Sequence, residues 1–299
     1  LGYPLGKSDK IINGLTNLSI PFKFSTRYQA SVVEKIQELI KINTYDVIHF
    51  EYSHAAVYLN KINDLIKYKT NFSNTRTIIS IHDIVSQSFL RKSEKNPILG
   101  IEVARLFKFE KELYSSVNEL WVLSNKDRNI LTSLFSIPES KIVVKHPPLS
   151  EFIYKIKRDI EQIENKSLLF WAAMNRPENE QAAINFIQKC FTDLRKTDPQ
   201  YKLYIVGSNP SAKIKQFENE NIVITGFIED PSHFFEKAQI GIVPLLQGAG
   251  IKLKTLEMLQ AGLPVISTSI GAEGIESSTN IFVSDNFGDW LNIITSLAK

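Results

Sequence analysis

Continuous apolar runs, separated by helix-length amphipathic segments, constrain the fold of this chain more than any other feature. Each run is apolar almost throughout, which is typical of parallel strands that are covered on both faces. Amphipathic segments such as Ile101–Val117 and Glu178–Arg195 lie between runs. This alternation predicts βαβ units and an α/β fold with doubly wound sheets. The runs occupy residues 46–52, 77–84, 119–124, 141–145, 167–174, 202–207, 222–228, 240–246, 264–268 and 281–284.

The length and the spacing of the runs indicate two domains. A chain of 299 residues is long enough for two hydrophobic cores. Pro147-Pro148 and the charged segment before Lys166 separate four runs from six. We therefore predict an N-terminal domain at residues 1–148 and a C-terminal domain at 149–299. The first lacks an opening strand with a glycine-rich turn, so we expect it to be incomplete at its start.

Composition excludes several classes of protein. Hydrophobic residues make up 43% and charged residues 22%, as in ordinary globular proteins. The longest apolar runs fall far short of the ~20 residues of a membrane span, and no secretory signal pattern opens the chain. The single cysteine, Cys190, rules out an internal disulfide and a cysteine-rich zinc cluster. These features predict a soluble, reduced, intracellular protein.

Charge is distributed unevenly along the chain. The net charge of +3 is too weak for a dedicated nucleic-acid-binding protein, so we expect no nucleic-acid partner. Residues 1–150 carry 20 basic and 14 acidic side chains, or +6, and the remainder carries 15 and 18, or −3. A basic first half could face an anionic membrane or a phosphorylated substrate. A plain solvated surface is the alternative.

The stretch Pro244–Thr268, PLLQGAGIKLKTLEMLQAGLPVIST, carries the strongest sign of chemistry. A strand ends at Leu246, a loop of small residues follows, and an amphipathic helix then runs to Ala261. Glycines at a helix start let backbone N–H groups approach an anion, and the helix dipole adds to that field. Lys252 and Lys254 lie at this start, where cations are unfavourable without a nearby anion. A phosphate site and an ordinary βα turn both remain open.

This stretch resembles the donor-site signature of retaining GT-B glycosyltransferases of family 4, the group 1 type. It is most similar to a bacterial polysaccharide-biosynthesis branch with the loop Gly-x-Gly-x-Lys-x-Lys-x-Leu-Glu. Other stretches resemble the same family in the expected order: YDVIHFEYSHAA, IISIHD, LWVLSNKDR, FWAAMNRPENEQAAINFI, LYIVGSNP and ITGFIEDP. The resemblance implies two Rossmann-like domains facing across a cleft. It also implies retaining transfer of a sugar from a nucleotide-sugar donor to a hydroxyl acceptor in bacterial surface glycan synthesis.

The resemblance assigns donor-binding residues, with two departures. Glu257 matches the second glutamate of the family's pair and is implied to bind the donor ribose. The first glutamate is replaced by Ala249, and the family's Gly-Arg and Lys-Gly are replaced by Ala172-Ala173 and Glu178-Asn179. We expect the diphosphate to bind Gly248, Ala249, Gly250, Lys252 and Arg176. Gly207, Phe227 and Ile228 would border the nucleobase, although plain βα-turn residues are the alternative.

Candidate residues in the N-terminal domain follow predicted strands. His82 ends the run IISIH, where side chains of parallel strands face the ligand crevice, and we predict it to be catalytic. Glu51 and His54 are candidates for acceptor contacts on the same argument, and Ser124 resembles a serine that borders the family's crevice. A satisfied structural histidine is the alternative for His82.

No metal site is expected, because the five histidines are scattered and no Asp-x-Asp triplet is present. We expect no cofactor, since the nucleotide sugar is a substrate. The expected partners are that donor, a glycan or lipid-linked saccharide acceptor, and the membrane through peripheral association. The expected location is the cytoplasm, including the inner face of the membrane. Two alternatives stay open: a catalytically degenerate homologue acting as a partner subunit, and a two-lobed, non-enzymatic small-molecule binding protein.

Overall fold

The computed structural model describes residues 6–62, 75–94, 96–276 and 279–298. The chain divides into two compact units, Leu1–His146 and Pro147–Lys299. Each unit contains one sheet in which every strand pairing is parallel. Among the helices of the described ranges, none combines the length and apolar character that crossing a membrane requires.

The first unit contains a four-stranded sheet in the order β1-β2-β3-β4. One face is apolar and buried, with Phe50, Ile79, Leu120 and Val122 packing under the helices. The opposite face is more polar, because His49 and Trp121 lie on it. The strands are β1 Val47–Glu51, β2 Arg76–Ile81, β3 Glu119–Val122 and β4 Ile142–Val144.

The helices of the first unit connect and cover these strands. Helix Asn125–Ser133 begins at Ser124, whose hydroxyl accepts a hydrogen bond from the Asp127 amide at 3.1 Å, a standard N-cap. Further α-helices of this unit lie at Lys7–Thr16, Phe22–Ser25, Ala30–Ile42, Val85–Ser93 and Leu99–Ser115, and 3₁₀ turns lie at Ala55–Tyr58 and Glu139–Lys141.

The second unit contains a six-stranded sheet in the order β10-β9-β8-β5-β6-β7. The chain runs outward from β5 through β6 to β7, then returns to the other side of β5 as β8. The apolar residues of the central strands, such as Leu168–Phe170 of β5 and Ile240–Val243 of β8, are buried in the core of this unit. The strands are β5 Glu164–Trp171, β6 Lys202–Val206, β7 Ile222–Ile224, β8 Ala238–Val243, β9 Val265–Ser267 and β10 Ile281–Val283.

A long helical segment follows β5 and is interrupted by a π turn at Ile187–Phe191, between Pro177–Phe186 and Thr192–Thr197. Trp290 of the last helix, fully buried, packs on Phe186 in the core. The remaining α-helices are Ala212–Lys215, Ser232–Lys237, Leu253–Gln260 and Phe287–Leu297, and 3₁₀ turns lie at Glu151–Lys155 and Ile160–Gln162.

The structure confirms the predicted α/β class and its two Rossmann-like units with parallel sheets. Ends of elements differ from the sequence-based expectation by a few residues. The predicted strand at 167–174 runs from Glu164 to Trp171. Its pairing with β8 shifts register between Glu164 and Leu168, where Lys166 has a φ of 61°, and the apolar pattern does not reveal this irregularity.

Candidate functional site

A topological switch point lies in the second unit between β5 and β8. These neighbouring strands are far apart in chain order, and the loops that follow them leave the same carboxyl edge of the sheet. Ligands of open α/β sheets bind in the crevice that such diverging connections create. The loop after β5 leads to Arg176, and the loop after β8 contains Gly248 and Gly250.

The glycine loop after β8 is shaped by two left-handed residues. Gly248 has a φ of 128° and Gly250 a φ of 70°, conformations that side-chain-bearing residues rarely adopt. The Lys252 Nζ donates to the carbonyl oxygens of Ala249 at 3.0 Å and Gly250 at 2.5 Å. It also lies 3.6 Å from the buried carboxylate of Glu273. Lys252 therefore holds the loop together at the point where a diphosphate was predicted.

Lys254, in the first turn of helix Leu253–Gln260, has a different environment. Its ammonium group donates to the amide oxygen of Asn179 at 2.5 Å. Burial, together with repulsion from Lys252 and Arg176, lowers the pKa of Lys254 to about 7, although Glu178 acts in the opposite direction. The structure thus gathers three cationic side chains at the switch point.

Glu257 lies one helical turn further on and is only 6% exposed. Its Oε1 accepts hydrogen bonds from the Ser150 amide at 3.1 Å and the Ser150 hydroxyl at 2.6 Å. Its Oε2 accepts one from the Trp171 indole at 2.8 Å. A carboxylate offers about four acceptor positions, so a further acceptor position remains for a hydroxyl donor.

The remaining donor-side candidates lie along the same carboxyl edge. Arg176 is exposed and immediately precedes helix Pro177–Phe186. Gly207, with a φ of 151°, follows β6 and approaches Ala172 so closely that a Cβ would lie 2.0 Å from the Ala172 carbonyl oxygen. Phe227 follows β7 and is 78% exposed, whereas Ile228 is half-buried. The ribose, diphosphate and nucleobase assignments of these residues stay predictions.

In the first unit, two predicted residues meet at the carboxyl edge of β1 and β2. The His82 Nε2 and Glu51 Oε1 form a short hydrogen bond. The ring of Tyr52 stacks on the imidazole of His82, with ring centres 3.9 Å apart. Burial alone would raise the pKa of Glu51, but hydrogen bonds from His82 and Ser80, with attraction from His82 and His49, lower it overall.

His54 and Ser124 contact other groups. The imidazole of His54 stacks on Phe24 at 5.0 Å, and burial, with repulsion from Arg27 and Lys23, lowers its pKa to about 4. The hydroxyl of Ser124 donates to the Asp127 carboxylate at 2.7 Å while capping its helix. An acceptor role for either residue stays a prediction.

Three residues of these clusters were missed from the sequence: Ser150, Trp171 and Glu273. Lys254 was noted at the helix start without an assigned ligand, and Asn179 only as a departure from the family pattern. The Lys-x-Lys spacing places both lysines at the start of one helix but does not show which of them becomes buried. Ser150 and Trp171 lie 107 and 86 residues from Glu257, so only the tertiary fold brings them together. Glu273 follows β9 after a Gly-Ala pair, and its position beyond a strand end was the available signal.

Side chains that could ligate a metal ion are scattered over the described ranges. Within them, no three His, Cys, Asp or Glu side chains come together in a way that could hold a metal ion. The described residues at the switch point include the cationic side chains of Arg176, Lys252 and Lys254.

Comparison with known proteins identifies similarities over both units. Residues 165–299 match the family model "Glycosyl transferases group 1". A Klebsiella pneumoniae protein described as an uncharacterized 44.6 kDa protein in the cps region is 28% identical over 178 residues. That match covers 56% of this chain and 44% of the relative, so the chain corresponds to less than half of that protein.

Three solved structures share the fold at low sequence identity. S. aureus TarM is 17% identical with a TM-score of 0.61, covering 89% of this chain and 50% of TarM. Sucrose-phosphate synthase from Thermosynechococcus elongatus is 15% identical with a TM-score of 0.65, covering 92% and 69%. Anabaena HepE in complex with UDP-glucose is 14% identical with a TM-score of 0.60, covering 89% and 71%. These structures share the fold of this chain, and the family match covers its residues 165–299.

Proposed function

We propose that this chain is the catalytic part of a glycosyltransferase that moves a sugar from a nucleoside diphosphate sugar to a hydroxyl acceptor. The observation that carries the proposal is the cationic cluster of Arg176, Lys252 and Lys254 at the switch point of the second unit. A bound diphosphate would neutralise this cluster. The same charges would stabilise the nucleoside diphosphate as it leaves the sugar.

Lys254 makes the strongest contribution to this argument. Its nearest hydrogen-bond partner is the neutral amide of Asn179, and its environment lowers its pKa rather than raising it. An anion close to this ammonium would raise its pKa again and stabilise the charged form. Asn179 occupies the second position of the family's Lys-Gly pair, so we infer that Lys254 supplies from the neighbouring helix the cation that is missing at position 178.

The surrounding residues fit a nucleotide. Glu257 is held by Ser150 and Trp171 and would accept a hydrogen bond from a ribose hydroxyl. Phe227 offers an exposed aromatic ring for the nucleobase, beside Ile228, and Gly207 borders the same edge. The similarity to HepE in complex with UDP-glucose supports a UDP-sugar as the donor class.

Further parts of the proposal concern the reaction and its setting. His82 would act near the transferred sugar, with Glu51, His54 and Ser124 on the acceptor side. The reaction would retain the anomeric configuration, as in family 4, and proceed without a metal ion. The relative from a cps region supports a role in bacterial surface glycan synthesis. We place that role at the cytoplasmic face of the membrane, with peripheral association.

Calorimetric titration with UDP tests the cationic cluster. Lys254→Met removes the charge and keeps most of the side-chain volume, and we expect UDP to bind ~10- to 100-fold more weakly, the effect of losing a charge-assisted hydrogen bond. Lys196→Met is the matched control, because Lys196 is exposed and pairs with Asp193 in the helix Thr192–Thr197. Unchanged UDP affinity in Lys254→Met would contradict the proposed diphosphate site.

Turnover is tested separately with a panel of nucleotide sugars, including UDP-glucose. NMR of the released or transferred sugar reports its anomeric configuration, and addition of EDTA reports metal dependence. Retention and EDTA-insensitive turnover are the expected results. UDP binding without turnover of any donor would favour the catalytically degenerate homologue over the enzyme.

A further inference from the structure

Glu51 and His82 form a closely packed pair at the carboxyl edge of the first sheet. The two residues end neighbouring parallel strands, with Glu51 of β1 opposite Ser80 of β2. The carboxylate of Glu51 contacts the Nε2 edge of the imidazole, and the phenol ring of Tyr52 covers its face. The imidazole is therefore restrained in two directions, and its side chain remains 31% exposed.

We propose that Glu51 is a positioning residue that holds His82 as the Nε2–H tautomer, which leaves Nδ1 to accept a hydrogen bond from a sugar or acceptor hydroxyl. This inference rests on the proposed function for the identity of that hydroxyl. It replaces the predicted direct contact between Glu51 and the acceptor. The assignment of the tautomer depends only on the contacts within the first unit.

The ionisation of Glu51 determines which atom donates. Hydrogen bonds from His82 and Ser80 and the attraction of the two histidines outweigh burial and lower the pKa of Glu51, so it is a carboxylate at neutral pH. A carboxylate can only accept hydrogen bonds. The proton of a neutral imidazole must then lie on Nε2, and Nδ1 carries the lone pair.

The backbone beside the pair is strained in a way that serves this arrangement. Tyr52 has a φ of 71°, a left-handed conformation that costs a bulky residue energy. That conformation turns the chain at the end of β1, where the Tyr52 ring lies on His82. Surrounding contacts must hold such a residue in place.

A buried polar network supplies those contacts. Glu110 accepts hydrogen bonds from the amides of Val85 and Ser86 at 2.8 and 2.9 Å and from the Tyr114 hydroxyl at 2.8 Å. The Tyr114 hydroxyl is also 3.1 Å from the hydroxyl of Ser53, which follows Tyr52. One helix, Leu99–Ser115, thereby fixes the segments that follow Glu51 and His82 in the chain.

His49 is the second imidazole near Glu51. Its Nε2 lies 3.4 Å from the Glu51 Oε2 and 2.7 Å from the Ser80 hydroxyl. Because His82 is much closer to the carboxylate, removal of Glu51 is expected to change the tautomer of His82 more than that of His49. Both rings are therefore followed in the test.

Long-range ¹H–¹⁵N NMR of protein labelled at histidine nitrogens measures the tautomers directly. Spectra are recorded at about pH 8.5, where an ordinary imidazole is neutral, and His82→Ala assigns the resonances. We expect wild-type His82 to be Nε2–H alone and Glu51→Ala to show a mixture of tautomers. Glu119→Gln is the matched control, because Glu119 bonds Arg76 and Trp121 on the same sheet face.

Activity is read with UDP-glucose hydrolysis as the probe reaction. We expect Glu51→Ala to lower kcat by about 10- to 100-fold with little change in KM, and to have no further effect in a His82→Ala background. An Nδ1–H tautomer in the wild type, or an unchanged tautomer in Glu51→Ala, overturns the proposal. The spectra decide it even if UDP-glucose is not turned over, a result that would count only against the proposed function.

Discussion

Lys252 and Lys254 are two residues apart, yet the structure gives them different partners. Lys252 lies 3.6 Å from the carboxylate of Glu273 and donates to loop carbonyls, so its charge is balanced locally. Lys254 donates to an amide and is repelled by Lys252 and Arg176. Because the positive charge of Lys254 is less well compensated, a bound anion would stabilise it more than it would stabilise Lys252. Lys254 is therefore the more informative residue for testing an anion site.

The lowered pKa of Lys254 predicts a pH dependence of folding. Its pKa is about 7 in the folded chain, against an ordinary 10.5, so the unfolded chain binds more protons between these values. Stability should therefore rise with pH across this window. We expect Lys254→Met to raise the free energy of unfolding by roughly 4 kcal/mol near pH 7. The gain should shrink toward pH 10 in urea titrations, and an unaltered pH slope would contradict the assignment.

Glu257 should affect ligands through the nucleoside rather than the phosphates. In Glu257→Gln one carboxylate oxygen becomes an NH₂ group facing either Ser150 or Trp171, both of which donate to it. We expect the affinities for uridine and UDP to fall by a similar factor of about 10. Lys254→Met should instead lower the affinity for UDP far more than the affinity for uridine. If calorimetry shows that both variants lose affinity for uridine and for UDP by the same factor, separate ribose and diphosphate contacts are contradicted.

Among the turns that follow the strands, Gly207 and Gly226 have positive φ for different reasons. At Gly207 the backbone of β6 passes so close to Ala172 that no side chain fits. At Gly226, with a φ of 74°, a Cβ would have open space around it. The first glycine is required by packing between neighbouring strand ends, whereas the second is required only by its backbone conformation.

This difference predicts unequal stability losses. Gly207→Ala must displace the loop after β5, and we expect it to cost about 3 kcal/mol or more of unfolding free energy. Gly226→Ala should cost only about 1 kcal/mol, the strain of a left-handed alanine. Urea unfolding of the two variants measures both values. Equal losses would mean that the approach to Ala172 relaxes without cost.

Across the whole chain, the strands could be predicted and the pairing of side chains could not. Apolar runs specify parallel strands because burial on both faces leaves a continuous pattern. The ends of β1 and β2 place Glu51 and His82 at one edge of the sheet, where they contact each other, but their roles stay predictions. His54, three residues beyond β1, instead precedes a 3₁₀ turn and packs on Phe24. The contacts of Glu257 join residues from distant segments, which no local pattern records.

The division into two units predicts that donor binding and chemistry respond to different substitutions. The residues proposed to bind UDP all lie in Pro147–Lys299, whereas His82 belongs to Leu1–His146. We expect His82→Ala to leave UDP affinity unchanged. The melting temperature of the variant should also change little, because His82 lies at the edge of its sheet and forms a hydrogen bond with the exposed Glu51.

Turnover should fall by ~10²–10⁴-fold if the imidazole of His82 takes part in proton transfer, and by less if it only orients a hydroxyl. The control is His233→Ala, since His233 is exposed at the start of helix Ser232–Lys237 and belongs to neither site. Calorimetry with UDP, thermal unfolding and donor turnover on the same preparations separate the possibilities. Glu51 and Tyr52 both contact the imidazole of His82, so a purely structural role would also be compatible with its position. In that case His82→Ala would lose several degrees of melting temperature and keep its turnover.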